Sequence, residues 1–379
     1  MRNIYLDYMS TTPIDPRVVD VMKDILENTF GNPSSQHAFG FAARETIEKA
    51  RTQVAELIHA DQKEIIFTSG ATESINLALK GAALFYQRQG KHIITMSTEH
   101  KAVLETCHYL ESIGFEVTYL NPQKNGLLNI AELEKTIRPD TILASIMHVN
   151  NETGVIQDIA AIGKCLRQNG VWFHVDAAQS AGKIPIDLKN CPVDLLSFTA
   201  HKIYGPKGIG ALYVRSKPRV QLIKQMHGAA QENKIRAGTL ATHQIVGFGE
   251  ACAIAKNNLI EESTHLKKLR DQLWKNLSAI KNIYLNGDEK NRVCNCLNFS
   301  IDNINTELFL KNLSDIAFSQ GSACNAVDPE PSHVLTAMGI SRDQANRSFR
   351  ISVGRFTTEK EIEMASAKII SEVTRHQKS

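Results

Sequence analysis

The sequence predicts an α/β protein, with a large and mostly parallel sheet flanked by helices and joined to a smaller α+β domain. Between residues 64 and 202, short apolar runs alternate with helical patterns of ten or more residues, the length that a parallel crossover needs. The next apolar run, 208–215, follows too closely for a crossover helix and is expected to pair antiparallel. From about residue 250 the texture changes to a long, charged amphipathic stretch, read as a linking helix.

In chain order, "EIIFTSG" (64–70) reads as a strand running into a loop, and "ESINLALKGAALFYQRQG" (73–90) as a helix ending at Gly90. Strand "KHIITMSTEH" (91–100), helix "KAVLETCHYLESIG" (101–114) and strand "FEVTYLN" (115–121) follow. "TILASIMHVNNETG" (141–154) and "VWFHVDAAQS" (171–180) are strands with helix "IAAIGKCLRQNG" (159–170) between them. "VDLLSFTAHK" (193–202) and "GIGALYVR" (208–215) complete the large sheet. "AIAKNNLIEESTHLKKLRDQLWKNLSAI" (253–280) is the linking helix, and "NRVCNCLNFSID" (291–302) opens the smaller domain. The expected division is 15–255 for the large domain, and 1–14 with 256–379 for the small one.

With 379 residues, 42% hydrophobic and 22% charged, the composition is that of an ordinary globular protein. A net charge of +3 is mild and implies no dedicated nucleic-acid partner. The N-terminal stretch "MRNIYLDYMSTTP" lacks the apolar core of a secretory signal, and no run of about 18 apolar residues suggests a membrane span. The 7 cysteines are scattered, with no Cys-x-x-Cys pair, which fits a reducing cytoplasm rather than a disulfide framework.

In open α/β sheets, ligands bind beyond the carboxyl ends of the strands. The polar residues expected there are Thr68 to Thr72, His100, Asn150, Asn151, Asp176, Gln179 and Thr199 to Lys202. "SGATES" has the small residues and the helix-opening Thr72 of a phosphate cup, although alone it reads equally as a capped helix start. Asp176 closes a buried strand and needs a cation or hydrogen-bond donors; a protonated ring nitrogen would serve, and so would capping of the segment that follows. Lys202 after a buried strand is either a phosphate clamp or a reactive amine. A desolvated lysine has a lowered pKa and forms Schiff bases with aldehydes. Phosphate cup, ring-nitrogen acid, reactive lysine and a ring-stacking His100 together match pyridoxal 5′-phosphate (PLP).

The stretches "LDYMSTTP", "GNPSSQH", "IIFTSGATESINLALKG", "TEHKAV", "SIMHVNNETG", "HVDAAQSAGK", "SFTAHKIYGPKGIGALYVR", "RAGT" and "GSACNAVDPEPSHVL" resemble the IscS/NifS cysteine desulfurases over nearly the whole chain. These are class V aminotransferase relatives within the fold-type I PLP enzymes. The resemblance implies that Lys202 holds PLP, that Asp176 pairs with the pyridine nitrogen, and that His100 stacks on the ring and assists proton transfer. It implies phosphate contacts from Ala71, Thr72, Thr199 and His201, a contact from Gln179 to the ring's phenolic oxygen, and Asn151 beside ring and substrate. Thr239 would reach the phosphate of a neighbouring subunit, making a homodimer, and Arg350 would hold the carboxylate of the substrate, L-cysteine.

Cys324 lies in "GSACNAVDPEPS", a Gly-, Ser- and Pro-rich loop expected to be exposed and mobile. The resemblance makes Cys324 the nucleophile that takes sulfur as a persulfide and passes it to an iron–sulfur scaffold or a tRNA-thiolation relay, with alanine as co-product. No resident metal is expected, Cys324 being at most a transient iron–sulfur ligand. Cys294 and Cys296, two apart in a strand-like run, and Cys107, Cys165, Cys191 and Cys252, in or beside helical patterns, read as packing residues. The chain departs from the family pattern at Met9 and Ser10, at Ala200, across "HGAAQENKIRAGT", at Gln320, and in closing without the longer scaffold-docking tail of housekeeping members. Alternatives at this stage are a selenocysteine lyase, another class V aminotransferase, or a non-catalytic PLP-fold partner protein.

Overall fold

The computed structural model describes residues 3–320 and 331–378, so Cys324 lies outside the described residues. The chain opens with β1 (Ile4–Tyr5), α1 (Pro16–Asn28) and α2 (Ala38–Leu57). The alternating region follows as β2 (Ile65–Thr68), α3 (Ala71–Tyr86), β3 (His92–Met96), α4 (Lys101–Ser112), β4 (Glu116–Leu120), α5 (Ile130–Thr136), β5 (Thr141–Ser145), α6 (Ile159–Gln168), β6 (Trp172–Asp176), β7 (Leu195–Thr199) and β8 (Gly210–Val214).

These strands form one seven-stranded sheet in the order β2-β8-β7-β6-β5-β3-β4. All pairings are parallel except those of β8, which runs antiparallel to β2 and β7, as its short connection requires. Every residue of β3, β5 and β7 is buried, because helices cover both faces of the sheet. The buried polar groups inside are paired. His174 of β6 bridges the Ser145 hydroxyl of β5 at 2.8 Å and the Ser197 hydroxyl of β7 at 2.9 Å.

The linking helix is longer than its amphipathic stretch suggests. α7 (Thr242–Leu277) begins eleven residues earlier than 253 and spans 36 residues. Gly247 and Gly249 disguise its first turns in the sequence. A side chain at Gly249 would stand 2.7 Å from the Ala50 Cα, so that glycine lets α7 lie directly on α2. Ile245, Val246, Phe248 and Ala251 of α7 join the core beneath the large sheet, whereas Leu266, Leu269, Leu273 and Leu277 join a second core.

That second core lies under β9 (Ile283–Leu285), β10 (Cys296–Ile301), β11 (Ile316–Ala317), β12 (Ser319–Gln320) and β13 (Ser348–Ser352). Four of these form an antiparallel sheet in the order β12-β13-β10-β9, and β11 pairs in parallel with β1. The N-terminal segment therefore crosses from the small sheet to the large one, and Leu6 and Met9 are buried in the second core on the way. That crossing carries residues 7–12 past the end of β7. Among the described residues, no helix is long and apolar enough to cross a membrane.

Candidate active site

β2, β6 and β7 end on one side of the sheet at Thr68, Asp176 and Thr199, and a cavity of about 1050 Å³ opens there between the two sheets. Ala71, Thr72, His100, Asn151, Asp176, Gln179, Thr199, His201, Lys202 and Arg350 all line it. Thr239 does not; it is an exposed residue outside this wall.

The helices around the cavity differ in their caps. Asp15 caps α1 and His100 caps α4 through Nδ1, which accepts the Ala102 N–H at 3.1 Å. α3 has no side-chain cap. Gly70 occupies its N-cap position with φ 156°, a conformation open to glycine, and the first amides of α3 face the cavity with the positive end of the helix dipole. The turn is held from behind. Glu73 accepts the Ser69 N–H at 2.7 Å and pairs with Arg236 at 2.8 Å. Gly210 lies so close that a side chain there would stand 2.7 Å from the Gly70 Cα. This is an anion cradle whose own side chains leave it open.

Lys202 sits in a single helical turn, Ala200–Lys202, directly after β7. Ala200 is fully buried beneath that turn. The Lys202 ammonium donates to the backbone carbonyls of Met9 at 2.5 Å and Ser10 at 2.6 Å. Burial first, then Lys183 and Arg350, push its pKa down to about 7, against the pull of Asp7 and Asp176. Asp176 is buried, and burial raises its carboxyl, opposed by the Ala178 amide, His100 and Lys202. Oδ1 takes the Ala178 N–H at 2.9 Å. No other hydrogen bond reaches this carboxylate among the described residues, so it retains acceptor capacity for a cationic ligand.

Arg350 of β13 donates to the Asn151 carbonyl, the Asp7 carboxylate and the Ser10 hydroxyl, each at 2.7 Å, and to Ser319 at 3.0 Å. Among the described residues, its Nε and the Asn151 Oδ1 are buried without partners. Unpaired buried polar atoms in a cavity wall are the mark of a site completed by a ligand. An uncapped helix terminus for phosphate, an acceptor for a ring nitrogen and an amine poised near neutrality fit PLP and leave few other candidates.

Several site residues carried no signal in the sequence reading. Met9 and Ser10 hold Lys202 through backbone carbonyls, which no residue type announces. Asp7 was passed over because its partner lies 343 residues away. Lys183 is buried four residues after Gln179, a spacing that pointed to no chemistry on its own. Glu152 lines the cavity with its carboxyl pushed up to about 7 by burial, and accepts the Ser332 hydroxyl at 2.5 Å. Ser319 and Gln320 on one side of residues 321–330, and Pro331, Ser332 and His333 on the other, also line the cavity.

The six described cysteines are Cys107, Cys165, Cys191, Cys252, Cys294 and Cys296, and none lines this cavity. Burial raises every one of these thiols, Cys107 to about 12, Cys191 and Cys294 to about 11.

The Aminotransferase class-V family pattern matches residues 4–364. Cysteine desulfurase IscS of Pectobacterium atrosepticum is 58% identical over 363 residues, 95% of this chain and 90% of that protein. A solved NifS-like protein superposes with a TM-score of 0.92 at 37% identity, covering 98% of this chain and 100% of the other. A structure of SspA in complex with cysteine gives 0.83 at 40% identity, covering 94% of this chain and 100% of the other.

Proposed function

The chain belongs to the class-V aminotransferase family and is a PLP-dependent cysteine desulfurase acting on L-cysteine; within that activity we propose that Cys324 takes the sulfur, Lys202 moves the Cα proton and Arg350 holds the substrate carboxylate. One observation carries the reading. A single cavity contains an amine poised near neutral pH, an open helix terminus, an under-bonded buried carboxylate, and both flanks of the segment holding Cys324.

Ala71, Thr72, Thr199 and His201 would hold the cofactor phosphate at the α3 terminus. Asp176 would face the ring nitrogen, Gln179 the phenolic oxygen, and His100 the ring face, with Asn151 beside it. Bound there, PLP supplies an electron sink for the charge left when the substrate Cα loses its proton. Lys202 Nζ, with a proton affinity near neutral, accepts and returns a proton at physiological pH. Arg350 presents a planar cation to the substrate carboxylate and releases part of its present pairing with Asp7 to do so. The Cys324 thiolate attacks the substrate sulfur. An S–S bond forms as the Cβ–S bond breaks, and the protons redistribute, so that L-cysteine and one thiol give L-alanine and one persulfide with no outside oxidant. The other cysteines are unsuited to this step because burial keeps them as thiols.

The two cores support residues 15–255 as the PLP-binding domain, and 1–14 with 256–379 as the domain carrying Cys324. Homodimer formation is supported by an apolar surface near the chain's start, where Phe30 (75% exposed) and Phe39 (58% exposed) stack at 5.3 Å. Thr239, outside its own cavity wall, would then serve the partner's phosphate. Loop 228–240 is held for that purpose by buried Glu232, which pairs with Arg51 at 2.8 Å. Sulfur-acceptor proteins, an iron–sulfur scaffold or a tRNA-thiolation relay, would take the persulfide in the cytoplasm.

Cys324→Ser tests the assignment. With L-cysteine, the variant should change the absorbance of its bound cofactor yet form neither alanine nor protein persulfide, since a hydroxyl is a poor nucleophile towards sulfur. Alanine produced at the wild-type rate, with persulfide on another cysteine, would remove Cys324 from the reaction.

A further inference from the structure

Lys183 is a buried cation that the reaction as described does not use. It is 9% exposed, and among the described residues its ammonium reaches no carboxylate; it donates to the Gln179 Oε1 at 2.9 Å and touches the Met9 sulfur at 3.8 Å. Lysine is almost never fully buried without an anionic partner, because desolvation of the charge is costly. Such a placement points to a task.

The hydrogen bonds trace that task. With Oε1 held by Lys183, the Gln179 amide can only turn its N–H₂ the other way, and Nε2 donates to the Met9 carbonyl at 2.9 Å. The same carbonyl accepts from Lys202 at 2.5 Å. Lys183, Gln179, the Met9 carbonyl and Lys202 thus form one chain, from the second core to the cavity. Without Lys183, the Met9 carbonyl alone would orient the Gln179 amide, and an amide turned over would present an acceptor that repels a phenolic oxygen.

We propose that Lys183 is a positioning residue for this site: it locks the Gln179 amide with its donors towards the cavity, and its buried charge acts on the Lys202 nitrogen. The charged and titratable groups facing Lys202 are Lys183, Arg350, Asp7, Asp176, His100 and His201. Those facing Lys183 are Cys294, Cys296, Arg350, Glu262, His201 and Lys202. After burial, Lys183 is the largest influence holding the Lys202 pKa down. Lys183 itself is pushed down to about 8 by its own burial, so its charge is present at neutral pH and fades above it. This inference rests on the assignment of Lys202 and Gln179 to the cofactor.

The test uses the PLP-loaded enzyme with Lys183→Met, close to lysine in shape and without charge. Removing a nearby cation favours protonation of the Lys202 nitrogen, so the midpoint of the pH titration of the cofactor absorbance should rise by about one unit. The freed Gln179 amide should also weaken PLP affinity several-fold in an equilibrium titration. Lys183→Arg, which keeps the charge, should bring the midpoint back towards wild type, a recovery that mere core packing would not give. An unchanged midpoint in folded Lys183→Met overturns the proposal. If that variant fails to fold, the midpoint of Lys183→Gln decides in the same way. If none of the three folds, Lys183 serves the core and the proposal falls. Borohydride reduction and peptide mass mapping check the underlying reading separately. A modified Lys202 with an unmoved midpoint sinks only the role of Lys183, whereas modification of a different lysine sinks the cofactor assignment itself.

Discussion

Lys202 carries the proposed chemistry, and its surroundings show why it stands out in the sequence. A lysine after a run of buried strand residues contradicts the pattern around it, and such contradictions tend to mark function. Its loss should be chemical rather than structural, because the α3 terminus, Asp176 and Gln179 remain in place. Lys202→Ala is therefore expected to fold normally and to bind PLP that dialysis removes. Its alanine formation should fall by at least about 10²–10⁴-fold, the usual range for a lost acid–base group. Wild-type turnover by the variant in an alanine assay would refute the assignment. The place of Asp176, His100 and Arg350 in the cavity wall was legible for the same reason, these being charged or titratable types at strand ends or in a matched motif. Met9, Ser10 and Lys183 were not. The first two hold Lys202 through main-chain atoms, and the third is defined by what surrounds it rather than by its neighbours in sequence.

At the scale of elements, the large sheet was legible because buried parallel strands and crossover helices leave different periodicities. The start of α7 was not, since Gly247 and Gly249 look like breakers until α1 is seen packed against the first and α2 against the second. The sheet also carries a pH liability. His174 joins three neighbouring strands, and burial lowers its pKa from 6.5 to about 3. The folded chain holds this ring neutral while the unfolded chain protonates it. Its contribution to stability is therefore whole above pH 6.5 and is lost progressively as the pH falls towards 3. By pH 5 the loss from this one group is about 2 kcal/mol. His174→Gln, which can bond to both serines without titrating, should lose correspondingly less stability between pH 7 and pH 5. Denaturant midpoints of the two proteins at both pH values measure this. Parallel losses would show that His174 does not govern the acid limb.

For the whole molecule, the dimer reading rests on an exposed aromatic surface and on a threonine that serves no purpose in its own cavity. Phe39→Glu places a charge on that surface. It should shift light-scattering mass towards the monomer and lower turnover with it; an unchanged mass would place the dimer contact elsewhere. A last consequence follows from α7. Its buried residues fall into two groups, up to Ala255 and from Leu266 onwards, and none of residues 256–265 between them belongs to either core. One rod of about 54 Å is thus shared by two cores. Neither half can melt without fraying the helix that the other depends on, so the helix makes a single cooperative unit out of two cores. Scanning calorimetry should show one endotherm. Asn257→Pro, at an exposed position in that span, breaks the rod at a cost of about 3 kcal/mol while replacing no core residue. It should divide that endotherm into two, whereas a single peak in the variant would mean that the two halves are coupled through the cavity walls rather than through the helix.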